Sequence, residues 1–276
     1  RPTWKLSWPA VAAAVMCLIV LIWAVPAVFS FVRNLPHGLD DAWAIWNLKA
    51  RFLYRGGPSW GAMFAEEIAW SHPDYPLLLP LTIARLYHYA GSESPVIGQM
   101  VALLFAALTI GMLGALLWQQ NDAVQAFVGI MVLAATPALL FHTAWQYADV
   151  PLAFFILTAT GLTTRALAKT PVNDHPRPPY HLQTSGLVLA GMVASCAAWT
   201  KNEGLLFVVA LVAAVSLVSA ISVDLRTAAR RGGAVLLGAA GGVALIVLVK
   251  SQLAPTQDPI GATHFSQLLD IERHGK

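Results

Sequence analysis

"SWPAVAAAVMCLIVLIWAVPAVFSFV", residues 7–32, runs for 26 residues without a charged side chain, and its reading decides the fold. A helix of about 20 apolar residues crosses a bilayer. The run exceeds the roughly 7–15-residue apolar core of a signal peptide, so despite the basic start at Arg1 and Lys5 it reads as a retained span. Six further stretches qualify, at 96–118, 123–145, 150–168, 185–200, 204–223 and 232–250. Lipid offers no partner to open backbone, so each is expected to be a helix. The expected fold class is an all-α polytopic membrane protein, residues 1–276 forming a single transmembrane module with seven spans. Composition agrees: 57% of residues are hydrophobic and 11% charged, against roughly 25% charged in soluble domains.

The remaining bulk numbers exclude other classes. A net charge of +3 without an extended basic tract gives nucleic acid nothing to track. Cys17 and Cys196 both fall inside expected spans and read as small core residues, not as a disulfide or thiolate metal site. The chain opens at Arg1 without an initiator methionine and stops at Lys276 just after a span, so it is expected to be a trimmed polypeptide lacking further C-terminal helices.

Directly after the first run stands "HGLDDAWAIWNLKARFLYRGG", residues 37–57. Leu39, Trp43, Trp46, Ala50 and Leu53 recur at three- and four-residue steps as on one helical face, with Asn47, Arg51 and Arg55 away from it. This predicts a helix lying in the membrane interface. "SHPDYPLLLPLTIARLYHYAG", residues 71–91, is too short and too interrupted by Pro76, Pro80, Arg85 and His88 to cross, and predicts a second interfacial or re-entrant helix. Both lie in the long 33–95 segment, whose basic residues weigh little in orientation because long loops translocate regardless of charge. The short basic loops decide it. Arg1 and Lys5, the 169–184 loop beside Arg165 and Lys169, and Arg226, Arg230 and Arg231 all fall on the cytoplasmic side if the N-terminus lies inside.

With that topology Asp40, Asp41, His72, Asp74, Asp149, Lys201, Glu203 and His264 collect at the outer side. Ionisable residues at membrane depth are costly and point to function by default. Each also has a plain alternative. Asp40 can cap the helix that follows it; Asp149 in "WQYADVPLAFF" can cap the span that begins with Val150 and Pro151; "WTKNEGLL" can be a solvated turn; His72 and His264 lack the close spacing of a metal motif. Trp43, Trp46, Trp60 and Trp70 suit an aromatic belt or a sugar-stacking surface. The Gly238 to Gly242 spacing reads as a close helix-packing device.

In their order along the chain these landmarks resemble the membrane glycosyltransferases of the GT-C fold, in particular the lipid A aminoarabinose transferase and protein O-mannosyltransferase branch (family 39-like). "DDAWAIWNLKARFLYRGG" occupies the place of the family's acidic motif at the start of an interfacial helix, and "HPDYPLLLP" stands before the second one. "YADVPLAFF" matches an external aspartate ahead of a Phe-rich helix, and "WTKNEGLL" keeps Thr200, Lys201 and Gly204. The resemblance implies a GT-C-like module in the inner membrane of a bacterium, with its site facing the periplasm. It implies catalytic roles for Asp41, with Asp40 as rival, and for Asp149, a donor-phosphate contact for Lys201, and substrate contacts from Glu203, Tyr147, Trp43 and Trp46. Some relatives hold a divalent metal ion at positions that correspond to His72 and His264. The chain departs from the family pattern where His72 replaces an acid or lysine and where Asn202 and Glu203 separate Lys201 from Gly204.

The implied reaction moves a sugar from a polyprenyl-phosphate donor to an acceptor hydroxyl on a lipid, glycan or protein. The residue types suit it: a lysine can stabilise charge on the leaving phosphate, and a carboxylate can take the proton of the attacking hydroxyl. The competing classes are a lipid or solute transporter or flippase, which would show internal repeats and charges at mid-span, and a non-catalytic membrane subunit that binds polyprenyl lipid.

Overall fold

The computed structural model describes residues 7–119, 123–168 and 180–253, and among them every regular element is a helix. The first span is α1 (Trp8–Asn34). A π-helical turn (Ala42–Trp46) leads into α2 (Asn47–Arg55), and two 3-10 segments (Gly57–Phe64 and Glu66–Ser71) lead to α3 (Leu78–Ala90). Then follow α4 (Pro95–Trp118), α5 (Ala123–Ala134), α6 (Pro137–Ala144), α7 (Asp149–Leu167), α8 (Tyr180–Thr200), α9 (Glu203–Ser222) and α10 (Leu225–Leu253).

Five of these, α1, α4, α7, α9 and α10, are long and apolar enough to cross a membrane, and a sixth crossing is available if α5 and α6 form one span. These helices suit an integral membrane protein. Seven spans are expected from sequence, and the two differences have physical causes. The 123–145 stretch breaks at Ala135–Thr136 into α5 and α6, bent by 54°, where Pro137 removes a backbone donor and starts a new helix. The 185–200 stretch belongs to α8, 21 residues long, which packs against α7, α9 and α10. Along these seams α8 carries the small residues that close packing favours, which lowers its hydropathy.

Two cores result. One joins α7 to α10 around Leu187, Ala194, Ala198, Val215, Val235 and Ile246. Its α8–α10 seam depends on glycine: a Cβ on Gly191 would collide with the Val235 carbonyl, and one on Gly238 with that of Val188. Gly242 adds a hydrogen bond, its carbonyl accepting from Trp199 Nε1 at 2.8 Å, so the Gly238 and Gly242 pair acts as the packing device its spacing suggests. The second core sets α2 and α3 against α4, with Trp46, Ala50, Leu79, Ile83, Tyr87 and Val101 buried together.

The α2 region departs from the expected face pattern. Trp46 and Ala50 are buried, but Leu39 and Trp43 are exposed and Asn47 lies inside. A π-helical turn takes an extra residue per turn, so residues before Ala42 and after Trp46 no longer share one stripe. α3, at 13 residues, is about 20 Å long, too short to cross a bilayer, as expected.

Candidate functional site

The site assembles where the C-terminal ends of α1, α6, α8 and α10 meet the N-terminal ends of α7 and α9 and the 72–77 loop. Its first anchor is a polar knot beneath the acidic motif. Gln146 Nε2 donates to the carbonyls of Leu35 and Pro36 at 3.3 and 3.1 Å. Asn47 Nδ2 donates to Gln146 Oε1 at 3.1 Å and to the His37 carbonyl at 3.2 Å, while Leu39 N donates to the Trp145 carbonyl at 3.2 Å. The α6–α7 connection is thereby locked to the segment that carries Asp40 and Asp41. Gln146 takes the left-handed conformation, φ 57°, a strain that these bonds hold in place.

Above the knot, the Tyr147 hydroxyl donates to Asp40 Oδ1 at 2.5 Å. Burial, this hydrogen bond and the charges of Asp40, Asp41 and Asp149 together push the Tyr147 phenol well above its usual range, so it remains a donor. Asp41 occupies the cap position of the π-helical turn without making a side-chain cap bond.

The second anchor is the α8–α9 corner. Gly204 makes it possible, because a Cβ there would run into the Ala197 backbone. Lys201 Nζ lies 3.2 Å from Asp149 Oδ1 and 3.6 Å from Glu203 Oε1. Burial lowers the proton affinity of Lys201, but Asp149 and Glu203 outweigh it and hold the amine above its usual value. Tyr75 stands between the anchors: burial raises its phenol, and the charges of Glu203, Lys201, Asp74 and Asp41 all reach it.

The structure thus brings Asp40, Asp41, Tyr147, Asp149, Lys201 and Glu203 into one cluster. Trp46 packs instead, 2% exposed with its ring 5.3 Å from that of Tyr75, and Trp43 stays half exposed, 6.4 Å from the Trp70 ring. His72 is exposed on a left-handed residue, its ring 5.4 Å from Tyr75; its carbonyl accepts from Lys49 Nζ at 2.6 Å. Its suggested metal partner, His264, lies outside the described residues. Among the described residues, no three His, Cys, Asp or Glu side chains converge to hold a metal ion.

Sequence reasoning passed over four residues that belong here. Lys49, one of the basic residues of the 33–95 segment, is 1% exposed, and its Nζ donates to the carbonyls of His72 and Tyr75 at 2.6 and 3.3 Å. Burial brings its amine down to about 7, the nearby Lys250 adding to the effect and Asp74 opposing it. Asn202 Nδ2 donates to Asp74 Oδ2 at 2.8 Å, and Lys250 Nζ donates to Asn202 Oδ1 at 2.6 Å. Tyr75 is the fourth. Lys250 carried a signal, a lysine closing an apolar run, but at a span end it reads as a side chain reaching for the interface. Compared with protein-family models, with curated proteins and with solved structures, the chain matches none.

Proposed function

We propose that this protein is a membrane glycosyltransferase of the GT-C type, transferring a sugar from a polyprenyl-phosphate donor to an acceptor hydroxyl at the outer face of a bacterial inner membrane. The observation that carries the reading is the Lys201–Asp149 pair, 3.2 Å apart, in one cluster with Asp41 and the Asp40–Tyr147 bond at the ends of apolar helices. A lipid-linked phosphate sits where its tail meets the interface, and a half-buried cation there suits it. An ammonium has three N–H donors; one goes to Asp149 and Glu203 stands 3.6 Å away, which leaves donor capacity for a phosphate oxygen.

In the proposed reaction the acceptor oxygen attacks the anomeric carbon while the bond from that carbon to the donor phosphate breaks. The phosphate leaves with the electron pair, and Lys201 stabilises the charge it gains. Asp40 already accepts from Tyr147, so Asp41 is the carboxylate that takes the acceptor's proton. The acceptor class is a lipid, glycan or protein hydroxyl.

The test is transfer from a radiolabelled polyprenyl-phosphate sugar in nanodiscs. A hydrogen bond to a charged group contributes about 1.5–3 kcal/mol, so Lys201→Ala should lower turnover or affinity by roughly one to two decades. Lys201→Arg should recover part of the loss, its planar guanidinium being wider. Unchanged kinetics in Lys201→Ala would remove the phosphate role, and transfer from a soluble nucleotide sugar alone would overturn the lipid-donor reading.

One observation favours a second reading, a lipid transporter or flippase. Broken helices are common at transport sites, and the 54° break between α5 and α6 adjoins an apolar cavity of about 270 Å³ walled by α1, α4, α5 and α6. Lipid scrambling or export in vesicles that persists in Lys201→Ala, without sugar transfer, would select it.

A further inference from the structure

An asparagine at the start of a helix usually caps it, its side-chain oxygen accepting from a free N–H of the first turn. Asn202 stands at that position of α9 and makes no such bond, and its backbone is already helical at φ −58° and ψ −34°. Both ends of its amide go elsewhere. Oδ1 accepts from Lys250 Nζ of α10 at 2.6 Å, and Nδ2 donates to Asp74 Oδ2 of the 72–77 loop at 2.8 Å. Lys250 is 8% exposed. Without this acceptor its ammonium would be a buried, unsatisfied charge.

The neighbours of Asn202 are Lys201 and Glu203, and Lys201 faces both Asp149 and Glu203. Their backbone is wound tightly: Lys201 N donates to the Ala197 carbonyl at 3.2 Å and Gly204 N to that of Lys201 at 3.0 Å. A rigid corner of this kind can still rotate as a unit about the α8 end. The Asp74–Asn202–Lys250 chain opposes that rotation from two sides. The space beside it, walled by Asp74, Tyr75, Trp199, Ile246 and Lys250, is about 10 Å³, at the lower edge of what admits a single water and too small for a larger ligand. The chain therefore acts on the corner, not on a ligand of its own.

We propose that Asn202 is a positioning residue, strapped between Asp74 and Lys250, which aims Lys201 at Asp149 and so at the donor phosphate. The last step rests on the transferase reading; the aiming of Lys201 does not. The two residues inserted between Lys201 and Gly204 thereby have a use: Asn202 braces the corner and Glu203 joins the pairing of Lys201.

The test reads Lys201 directly. In the full chain in nanodiscs, the rate at which a small acylating reagent modifies Lys201 is followed by mass spectrometry against pH. In Asn202→Ala the midpoint should fall by roughly one pH unit as the pairing with Asp149 and Glu203 loosens, and Asn202→Gln, which keeps the amide, should lie between. A general loss of stability would change the extent of folding without moving this midpoint. Donor kcat/KM should fall by roughly tenfold, because a mis-aimed Lys201 both holds the donor phosphate less well and stabilises less of the charge that phosphate gains. An unshifted Lys201 midpoint in folded Asn202→Ala, or in Asn202→Gln if the alanine variant does not fold, overturns the proposal. A shifted midpoint in a protein that transfers no sugar supports the strap and overturns the transferase reading.

Discussion

The Tyr147 hydroxyl and the Asp40 carboxylate, 107 positions apart in the chain, meet at 2.5 Å. That bond divides the two adjacent aspartates: Asp40 is tied to the α6–α7 connection, and the Asp41 carboxylate makes no hydrogen bond among the described residues. On the proposed transferase reading, Asp41→Asn should abolish transfer with donor binding retained, since it removes a proton acceptor with little change of shape. Asp40→Asn and Tyr147→Phe should be milder and similar to one another, because each weakens the same contact. The check is kcat and donor affinity for the three variants; a more severe loss in Asp40→Asn than in Asp41→Asn would move the base to Asp40.

Glycines at two places carry the site's geometry. A Cβ on Gly98 would stand 2.5 Å from Gln146 Oε1 and 3.2 Å from Asn47 Oδ1, so Gly98→Ala should push apart the knot beneath Tyr147 at a cost of about 1–3 kcal/mol. Gly204→Ala should cost more, because it strikes the α8 backbone, which cannot move aside. Gly233→Ala meets open space and should be neutral or slightly stabilising. Thermal melting in detergent should rank them in that order.

Lys49 makes stability depend on pH. Its amine is brought from 10.5 down to about 7 by burial. Between those values the unfolded chain holds a proton that the folded chain has released, so stability should rise with pH across that window, by at most about 1.4 kcal/mol per pH unit. Well below pH 7 both states are charged and the folded state bears the full burial cost. Lys49→Met removes the titration, so melting temperatures of wild type and variant should differ most at pH 6–7 and converge toward pH 9–10. A constant difference across that range would assign Lys49 no titration here.

Orientation is testable through the short connection between α9 and α10. Asp224 caps α10 there, Oδ1 accepting from Thr227 N at 2.7 Å, and Arg226, Arg230 and Arg231 mark the end expected on the cytoplasmic side. With Cys17 and Cys196 replaced by alanine, Thr227→Cys should resist an impermeant thiol reagent in sealed cells and react after permeabilisation. Labelling in sealed cells would invert the proposed topology.

Where most of the spanning helices run is legible in the amino-acid sequence. Apolar length is a local property, so the boundaries of α1, α4, α7 and α9 fall within about two residues of the expected spans. The sequence also determined which residues were candidates, because a charge at the end of an apolar helix is costly and therefore conspicuous; Asp40, Asp41, Asp149, Lys201 and Glu203 were visible for that reason. Tertiary structure alone decided who meets whom. Tyr147 reaches Asp40, Lys201 reaches Asp149 52 positions away, and Asn202 reaches Asp74 across 128, contacts set by helix packing that no local window contains. The same packing set α8 against α7, α9 and α10, turned Lys49 and Asn47 inward through a π-helical turn, and gave Asn202 two partners in place of a cap. Hydropathy measures what a residue loses by leaving water, and it carries no record of the polar partner that compensates the loss.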